Sequence, residues 1–510
     1  MELPDGYRAC EHCGEVQPLT NKECCEPKCG KKMTQAAGDM VIKLHKAIYG
    51  LKQSPRDWYD TIVAWLMKPK AKGGQGFEQS PHDPCLISNM KKVDPDFARI
   101  LQESELKRKE SPTLISRKEN GKEIWIALYV DDLLIAGDQS LIEPFVKAIS
   151  QEYVIRDLGV PETFLGCEIN RAADKKSITI SCKTYIEQMA KKFGLLNSFP
   201  VSTPMVPGTK LSVEDQSSNG GSRVDSTEYR SYVGSLLYAA MTCRPDISYT
   251  VKELSRFLVE PLHVHLQAAK HCVKYLYHSR SLGIKYTMQE DKNVGCFSIR
   301  QIWNDHRPNE VMGYSDADWA NQVPGRKSTS GYVFMINGGA VSWKSQTQSI
   351  VALSTAEAEY VAVSEAAKEA LYLRKLMAEF RHAEPETVTI FEDNTAAEAW
   401  TRNETDHAKS RHIDVRYHHI RDHVKKGDVQ LVMCPTSEMV ADIMTKGLNP
   451  DLHQRTTMRM MGHAKCMAHP DQAKKPMALP VQSVDGAVHE ARLCTLTVKQ
   501  GAMLLCPACC

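Results

Sequence analysis

The sequence has no apolar run of about 18 residues and no apolar N-terminal stretch of the kind a secretory signal carries. Neither a membrane span nor a signal peptide is expected, and the chain reads as intracellular, cytoplasmic or nuclear. It also lacks an excess of either charge: 64 Lys and Arg stand against 62 Asp and Glu, a formal net charge of +2. A nucleic-acid partner must therefore be met by a local basic surface rather than by the field of the whole chain. Without a secretory signal, the 17 Cys are expected as reduced thiols, some of them with metal. What remains is globular material, 42% hydrophobic and 25% charged over 510 residues. That length predicts about two to four domains.

The most informative local feature is Tyr129-Val130-Asp131-Asp132, set between the apolar runs Ile124–Leu128 and Leu133–Ala136. The runs predict two short strands, with the carboxylates in the tight turn between them. Adjacent ionised Asp side chains repel each other, and a hard divalent cation such as Mg²⁺ would neutralise them. A solvated Asp-Asp turn is the plainer alternative.

Flanking segments decide between the two. Upstream lies Leu44-His45-Lys46-Ala47-Ile48-Tyr49-Gly50-Leu51-Lys52-Gln53-Ser54-Pro55-Arg56-Asp57-Trp58-Tyr59. Downstream lie Arg156-Asp157-Leu158-Gly159, Phe164-Leu165-Gly166-Cys167-Glu168-Ile169, Val201-Ser202-Thr203-Pro204-Met205 and Thr242-Cys243-Arg244-Pro245-Asp246-Ile247. In this order they closely resemble the reverse transcriptase of copia-type LTR retrotransposons. Three later segments resemble the ribonuclease H domain that follows the polymerase in that family: Gly313-Tyr314-Ser315-Asp316-Ala317-Asp318-Trp319-Ala320, Ser354-Thr355-Ala356-Glu357-Ala358-Glu359-Tyr360 and Ala441-Asp442-Ile443-Met444-Thr445-Lys446. The resemblance covers residues 41–450. It implies an α+β / α/β multidomain chain, with a truncated reverse-transcriptase palm and thumb or connection, then a ribonuclease H-like mixed sheet with helices.

The expected organisation follows. Residues 1–40 form a Cys-rich insertion, 41–205 a partial palm, and 206–310 a linker with a helical thumb or connection. Residues 311–450 form the ribonuclease H-like domain, and 451–510 a weakly structured Cys-containing tail. In the first segment Cys10, Cys13 and Cys29, with Cys24 or Cys25, could hold one structural Zn²⁺. A non-coding stretch read as coding would give the same Cys by accident. Helices are expected over Ser150–Asp157, Tyr185–Phe193, Tyr229–Met241, Pro245–Leu258, His263–His278, Ala356–Glu379 and 438–446. Strands are expected at Ser177–Ser181, Val311–Ser315, Val388–Phe391 and Val429–Cys434, with a hairpin around Asn337-Gly338-Gly339. His263, Gln267, Lys270, Lys274 and His278 recur at helical spacing, either as a nucleic-acid stripe or as a solvated face.

Ribonuclease H chemistry hydrolyses the RNA strand of an RNA–DNA hybrid with two Mg²⁺ (or Mn²⁺) about 4 Å apart. The resemblance supplies one candidate ligand from each of four elements: Asp316, Glu359, Asp393 and Asp442. Asp318 and Glu357 are close neighbours open to misassignment. On a helix, Glu357 and Glu359 point about 200° apart, so both cannot face one metal site. Asp442 could instead be a helix N-terminal charge. Ser354-Thr355 supply capping oxygens for the long helix. In the basic stretch 409–421, His412 matches a family His that could move protons or assist product release, or it is structural. Lys409, Arg411 and Arg416 could contact hybrid phosphates. The implied partners are an RNA–DNA hybrid and other pol or gag products, with no membrane.

The family's polymerase chemistry needs a third carboxylate from a Leu-Asp-Val-x-x-Ala-Phe-Leu-like motif, which these 510 residues do not contain. Asp131 and Asp132 are accordingly expected to be a polymerase remnant. The chain is expected to be a C-terminal part of a pol polyprotein whose retained activity is hybrid cleavage. The alternatives are a polymerase completed by a missing N-terminal piece, or a non-catalytic nucleic-acid-binding remnant.

Overall fold

The computed structural model describes residues 7–9, 16–18, 54–79, 113–212, 222–288, 309–322, 325–402, 415–463 and 491–498. Strands β1 (Tyr7–Ala9) and β2 (Val16–Pro18) pair antiparallel. The chain falls into two compact units: of the described residues, the first holds those up to 79 and 113–157, and the second holds 158–463. The sequence-based boundaries at 205/206 and 310/311 therefore lie inside the second unit.

In the first unit, β3 (Glu78–Gln79), β4 (Thr113–Glu119), β5 (Lys122–Tyr129) and β6 (Asp132–Asp138) pair antiparallel in succession. Ile124, Ile126 and Leu128 alternate inward along β5, as a strand with one buried face requires. Tyr129 pairs with Asp132, so the chain reverses over Val130 and Asp131. Helices Ser54–Met67 and Gln139–Glu152 join this sheet, the second capped by Asp138, which accepts from Ser140 N at 2.9 Å. The helix expected over Ser150–Asp157 is corrected: the helix ends at Glu152, and β7 (Ile155–Gly159) follows. Tyr153 turns extended because its ring packs edge-on between Trp58 and Trp65, at 5.3 and 5.5 Å.

The second unit opens with the antiparallel strands β8 (Thr163–Phe164), β9 (Cys167–Arg171), β10 (Ser177–Ser181) and β11 (Ile284–Thr287). Helices Lys183–Lys192, Ser226–Thr242, Ser248–Ser255 and His263–His278 share one core around Tyr229, Leu236, Leu254 and Cys272. Met205 and Leu211 belong to that core, so the stretch read as a linker is partly packed. The helix expected over Pro245–Leu258 is shorter than its pattern. Pro245–Ile247 form a 3₁₀ turn because the Asp246 carboxylate folds back onto Arg244 in a bidentate pair, at 2.9 and 2.7 Å. Both side chains are fully buried, and Tyr275 donates to the same carboxylate at 2.7 Å.

A five-stranded mixed sheet follows, in the order β14 (Gly339–Thr347), β13 (Thr329–Ile336), β12 (Met312–Asp318), β15 (Val388–Glu392) and β16 (Val429–Met433). Strands β12, β13 and β14 are antiparallel. Strands β15 and β16 run parallel to β12. The β13–β14 turn takes positive φ at Asn337 and Gly338, as its Asn-Gly pair anticipates. The long helix Thr355–Arg381 lies on this sheet, burying Val361, Val363, Ala366, Ala370 and Leu373 with Val388 and Ile390. Helices Thr395–Arg402 and Val415–Lys425 pack beside it.

Two further expectations are corrected here. Residues 438–446, read as the start of another helix, follow a 3₁₀ turn, Thr436–Glu438, and hold only a single helical turn, Asp442–Thr445. The tail read as weakly structured begins with a helix, Pro450–Met460, capped by Asn449 and burying Met460 in the sheet's core. His453 of that helix meets the Asp246 carbonyl at 3.4 Å, joining the helical part to the sheet part. Strand β17 (Ala491–Val498) completes the described residues.

Candidate functional site

Parallel pairing brings the first two carboxylates together. Tyr314 of β12 stands level with Phe391 of β15, and two residues further along each strand come Asp316 and Asp393. The ends of adjacent parallel strands therefore deliver both side chains to one edge of the sheet. Glu359 arrives from above. The long helix can approach β12 closely because Ala317, Ala352, Ala358 and Ala362 form the contact between them. Its entry is fixed by Ser354, which accepts from Glu357 N, and by Gln348, which donates to the Ala358 carbonyl at 2.8 Å.

The outcome is a trio. One carboxylate oxygen each from Asp316, Glu359 and Asp393 lies within 4.8 Å of the others, and among the described residues this is the one such group of three acidic, His or Cys side chains. Asp316 and Glu359 are only 2% and 7% exposed. Glu359 Oε2 has no hydrogen-bond partner. Burial pushes the Asp316 carboxyl up to about 7, against the pull of Lys446 and with a further push from Asp442. Burial, then the neighbouring Glu392 and Asp316, raises Glu359 well above the carboxylate range. Buried, mutually repelling and partly unpaired, such a group is costly unless a cation satisfies it.

Asp442 stands beside the trio. Gly331 lies directly opposite Asp316 in the β12–β13 pairing, and the turn Asp442–Thr445 rests on it. Thr445 Oγ1 donates to Asp316 Oδ2, and Asp442 is 3% exposed. Burial raises the Asp442 carboxyl, although Lys446 opposes that.

Two residues here went unrecognised in the sequence. Glu392, the last residue of β15, is fully buried, with Oε2 unpartnered. Burial, then Asp316 and Asp393, pushes its carboxyl well up. Lys446 extends its ammonium to 2.9 Å from Asp442 Oδ1 and 3.8 Å from Asp316 Oδ2. Of the flagged neighbours, Glu357 serves the helix entrance, accepting from Leu353 N at 2.7 Å. Asp318 stays outside the trio, its carboxyl raised by burial.

Lys409, Arg411 and His412 lie outside the described residues, as do Cys10, Cys13, Cys24, Cys25 and Cys29. Arg416 falls in the helix Val415–Lys425, but its side chain is not among those described. In the first unit Asp131 lies in the β5–β6 turn and Asp132 opens β6. Val130 beside them holds a left-handed φ of 49°, uncommon for a β-branched residue, while its carbonyl accepts from Trp58 Nε1 at 2.7 Å.

A mixed sheet with carboxylates at the ends of its parallel strands gives part of the second unit a ribonuclease H-like fold. Residues 94–207 match the family model for reverse transcriptase (RNA-dependent DNA polymerase). The chain is 34% identical over 415 residues to the Pol polyprotein of transposon TNT 1-94 from Nicotiana tabacum, covering 80% of this chain and 27% of that one. It is 32% identical over 333 residues to a transposon Ty5-1 protein of Saccharomyces cerevisiae, covering 65% of this chain and 90% of that one. The solved structure of LC11-RNase H1, isolated from compost, is similar at 18% identity, covering 27% of this chain and 93% of that one with a TM-score of 0.22. The chain belongs to the Pol polyproteins of copia-type transposons, and residues 94–207 carry the reverse transcriptase match of that family. It spans about a quarter of the length of the first curated relatives it matches, 27% and 24%.

Proposed function

We propose that the second unit hydrolyses RNA paired to DNA, with two Mg²⁺ or Mn²⁺ ions. The observation that carries this reading is the trio of buried Asp316 and Glu359 with half-buried Asp393, and its orphaned oxygen. Hard cations prefer carboxylate oxygen, so the donor set fits the ions that phosphoryl transfer uses. Asp316, Glu359 and Asp393 would hold one ion, and Asp316 with Asp442 the other. When bound, such ions activate a water and stabilise both the attacking and the leaving oxygen of the phosphodiester. The chain's own part is placement. Asp316 is shared between both positions and held by Thr445. Glu359 is fixed by the capped helix and Asp393 by the strand register. His412 is proposed to move a proton or assist product release, and Lys409, Arg411 and Arg416 to contact phosphates.

The test is cleavage of a labelled RNA strand in an RNA–DNA hybrid by the purified chain. Cleavage should need Mg²⁺ or Mn²⁺, stop with a chelator, and spare the same RNA unpaired. Metal-independent cleavage, or equal cleavage of free RNA, would exclude this mechanism.

DNA synthesis with a missing N-terminal part supplied is the second reading, favoured by the carboxylate hairpin at Asp131 and Asp132 beside the left-handed Val130. The proposal here is that these 510 residues do not extend a primer processively. Robust extension on an RNA template, lost in Asp131→Asn, would reverse that. Structural zinc on Cys10, Cys13, Cys29 and one of Cys24 or Cys25 is likewise proposed. Metal analysis finding no zinc in freshly purified, reduced protein would remove it.

A further inference from the structure

The carboxylates of the second unit fall into two sets that differ in one respect. Asp316, Glu359 and Asp393 converge, and among the described residues no ion pair joins a basic side chain to Glu359 or Asp393. On the other flank, Asp442 and Asp316 share the ammonium of Lys446, at 2.9 and 3.8 Å. Lys446 is 38% exposed, on a stem long enough to swing aside without moving the backbone. It follows Asp442 by one helical turn, so the register of the short helix aims the cation at that flank.

Resting on the two-ion hydrolase reading, we propose that Lys446 is an internal cation that occupies the Asp316–Asp442 position and is displaced by the second metal ion. The two ions are then unequal. The first enters between Glu359, Asp393 and the shared Asp316, with the ammonium held on the Asp442 side. The second must evict an ammonium, and meets its positive charge at close range for as long as the lysine stays near. A unit charge about 4 Å from another is a strong repulsion at the intermediate dielectric of a protein surface. Lys446 thus acts as a positioning residue. It keeps Asp442 and Asp316 in place while the site is empty, and makes full loading depend on a step that substrate phosphates could assist by drawing the ammonium outward.

The experiment is a Mn²⁺ titration of the full chain without nucleic acid, reading free Mn²⁺ by electron paramagnetic resonance. Asp131→Asn and Asp132→Asn are present throughout, so that the turn of the first unit contributes no ion. The parent should bind one ion tightly and a second at least about tenfold more weakly. Lys446→Met, which keeps the stem and removes the charge, should tighten the second ion about tenfold or more while shifting the first by less than about threefold. Lys446→Arg should retain the parent's weak second site. Should Lys446→Met lose its circular-dichroism signal, Lys446→Gln carries the same expectation.

An unchanged or weaker second ion in the folded charge-removing variants would overturn the role given to Lys446. Loss of all tight binding, with Asp393→Asn indistinguishable from the parent, would instead contradict the hydrolase reading beneath it, and the two failures are separable in one data set.

Discussion

A Cβ placed on Gly331 would stand 2.4 Å from Met444 Cβ. Gly331 faces Asp316 across the β12–β13 pair, so this bare backbone is what allows the Asp442–Thr445 turn to settle against the sheet. Gly331→Ala should lower stability by about 1–3 kcal/mol, the usual cost of overpacking. It should also displace Asp442 and Thr445 and slow hybrid cleavage. Denaturant melts and kcat together check this: an unchanged midpoint with full activity would mean that the turn does not depend on that contact.

The raised carboxyls give the metal-free protein a pH signature. A carboxyl whose folded pKa exceeds its unfolded value binds its proton more tightly when folded. Its stabilising contribution is complete below the unfolded pKa and is lost as pH rises through the folded one. For Asp316, that window runs from the ordinary carboxylate range up to about 7. Asp316→Asn removes the burden, so in chelator its Tm should gain on that of the parent as pH climbs from about 5 to 8. Adding Mn²⁺ should raise the Tm of the parent far more than that of the variant. A Tm difference that stays flat with pH would contradict the assigned shift.

Arg244 and Asp246 make a different prediction, because no solvent reaches either side chain. Burial opposes ionisation of Asp246, but the Arg244 guanidinium, with help from the Tyr275 hydroxyl, holds its carboxyl below the usual range. Removing one partner strands the other's charge. Asp246→Ala should cost about 3–5 kcal/mol, read as a shift in urea midpoint. A cost below about 1 kcal/mol would show that the pair is solvated in solution.

Much of this arrangement could be read in the sequence wherever the pattern is periodic. The carboxylate hairpin, the Asn337-Gly338 turn and the long helix all stand near their expected limits, because alternation and 3.6-residue spacing act locally. The Pro450–Met460 helix was hidden, since its buried face includes His453, Thr456, Thr457 and Arg459 as well as Met460. Two of those polar side chains meet partners distant in sequence: Arg459 donates to Tyr314 Oη at 3.0 Å, and His453 meets the Asp246 carbonyl at 3.4 Å. Glu392 was overlooked beside Asp393, since neither carboxylate's burial is visible until the strands pair. Lys446 stood in plain view within its motif, but its reach to Asp316 spans 130 positions and belongs to tertiary structure alone.

The central claim is that one buried carboxylate group carries hydrolysis. Asp393 offers the most direct test, because it belongs to the trio at the strand edge and takes no part in the core. Hybrid cleavage should be measured for the parent and for Asp393→Asn at saturating Mg²⁺, alongside their thermal melts. The account predicts a kcat lower by at least about a hundredfold with a Tm within a few degrees of the parent, as expected when metal placement fails and packing does not. Cleavage at the parent's rate by a folded Asp393→Asn chain would contradict it.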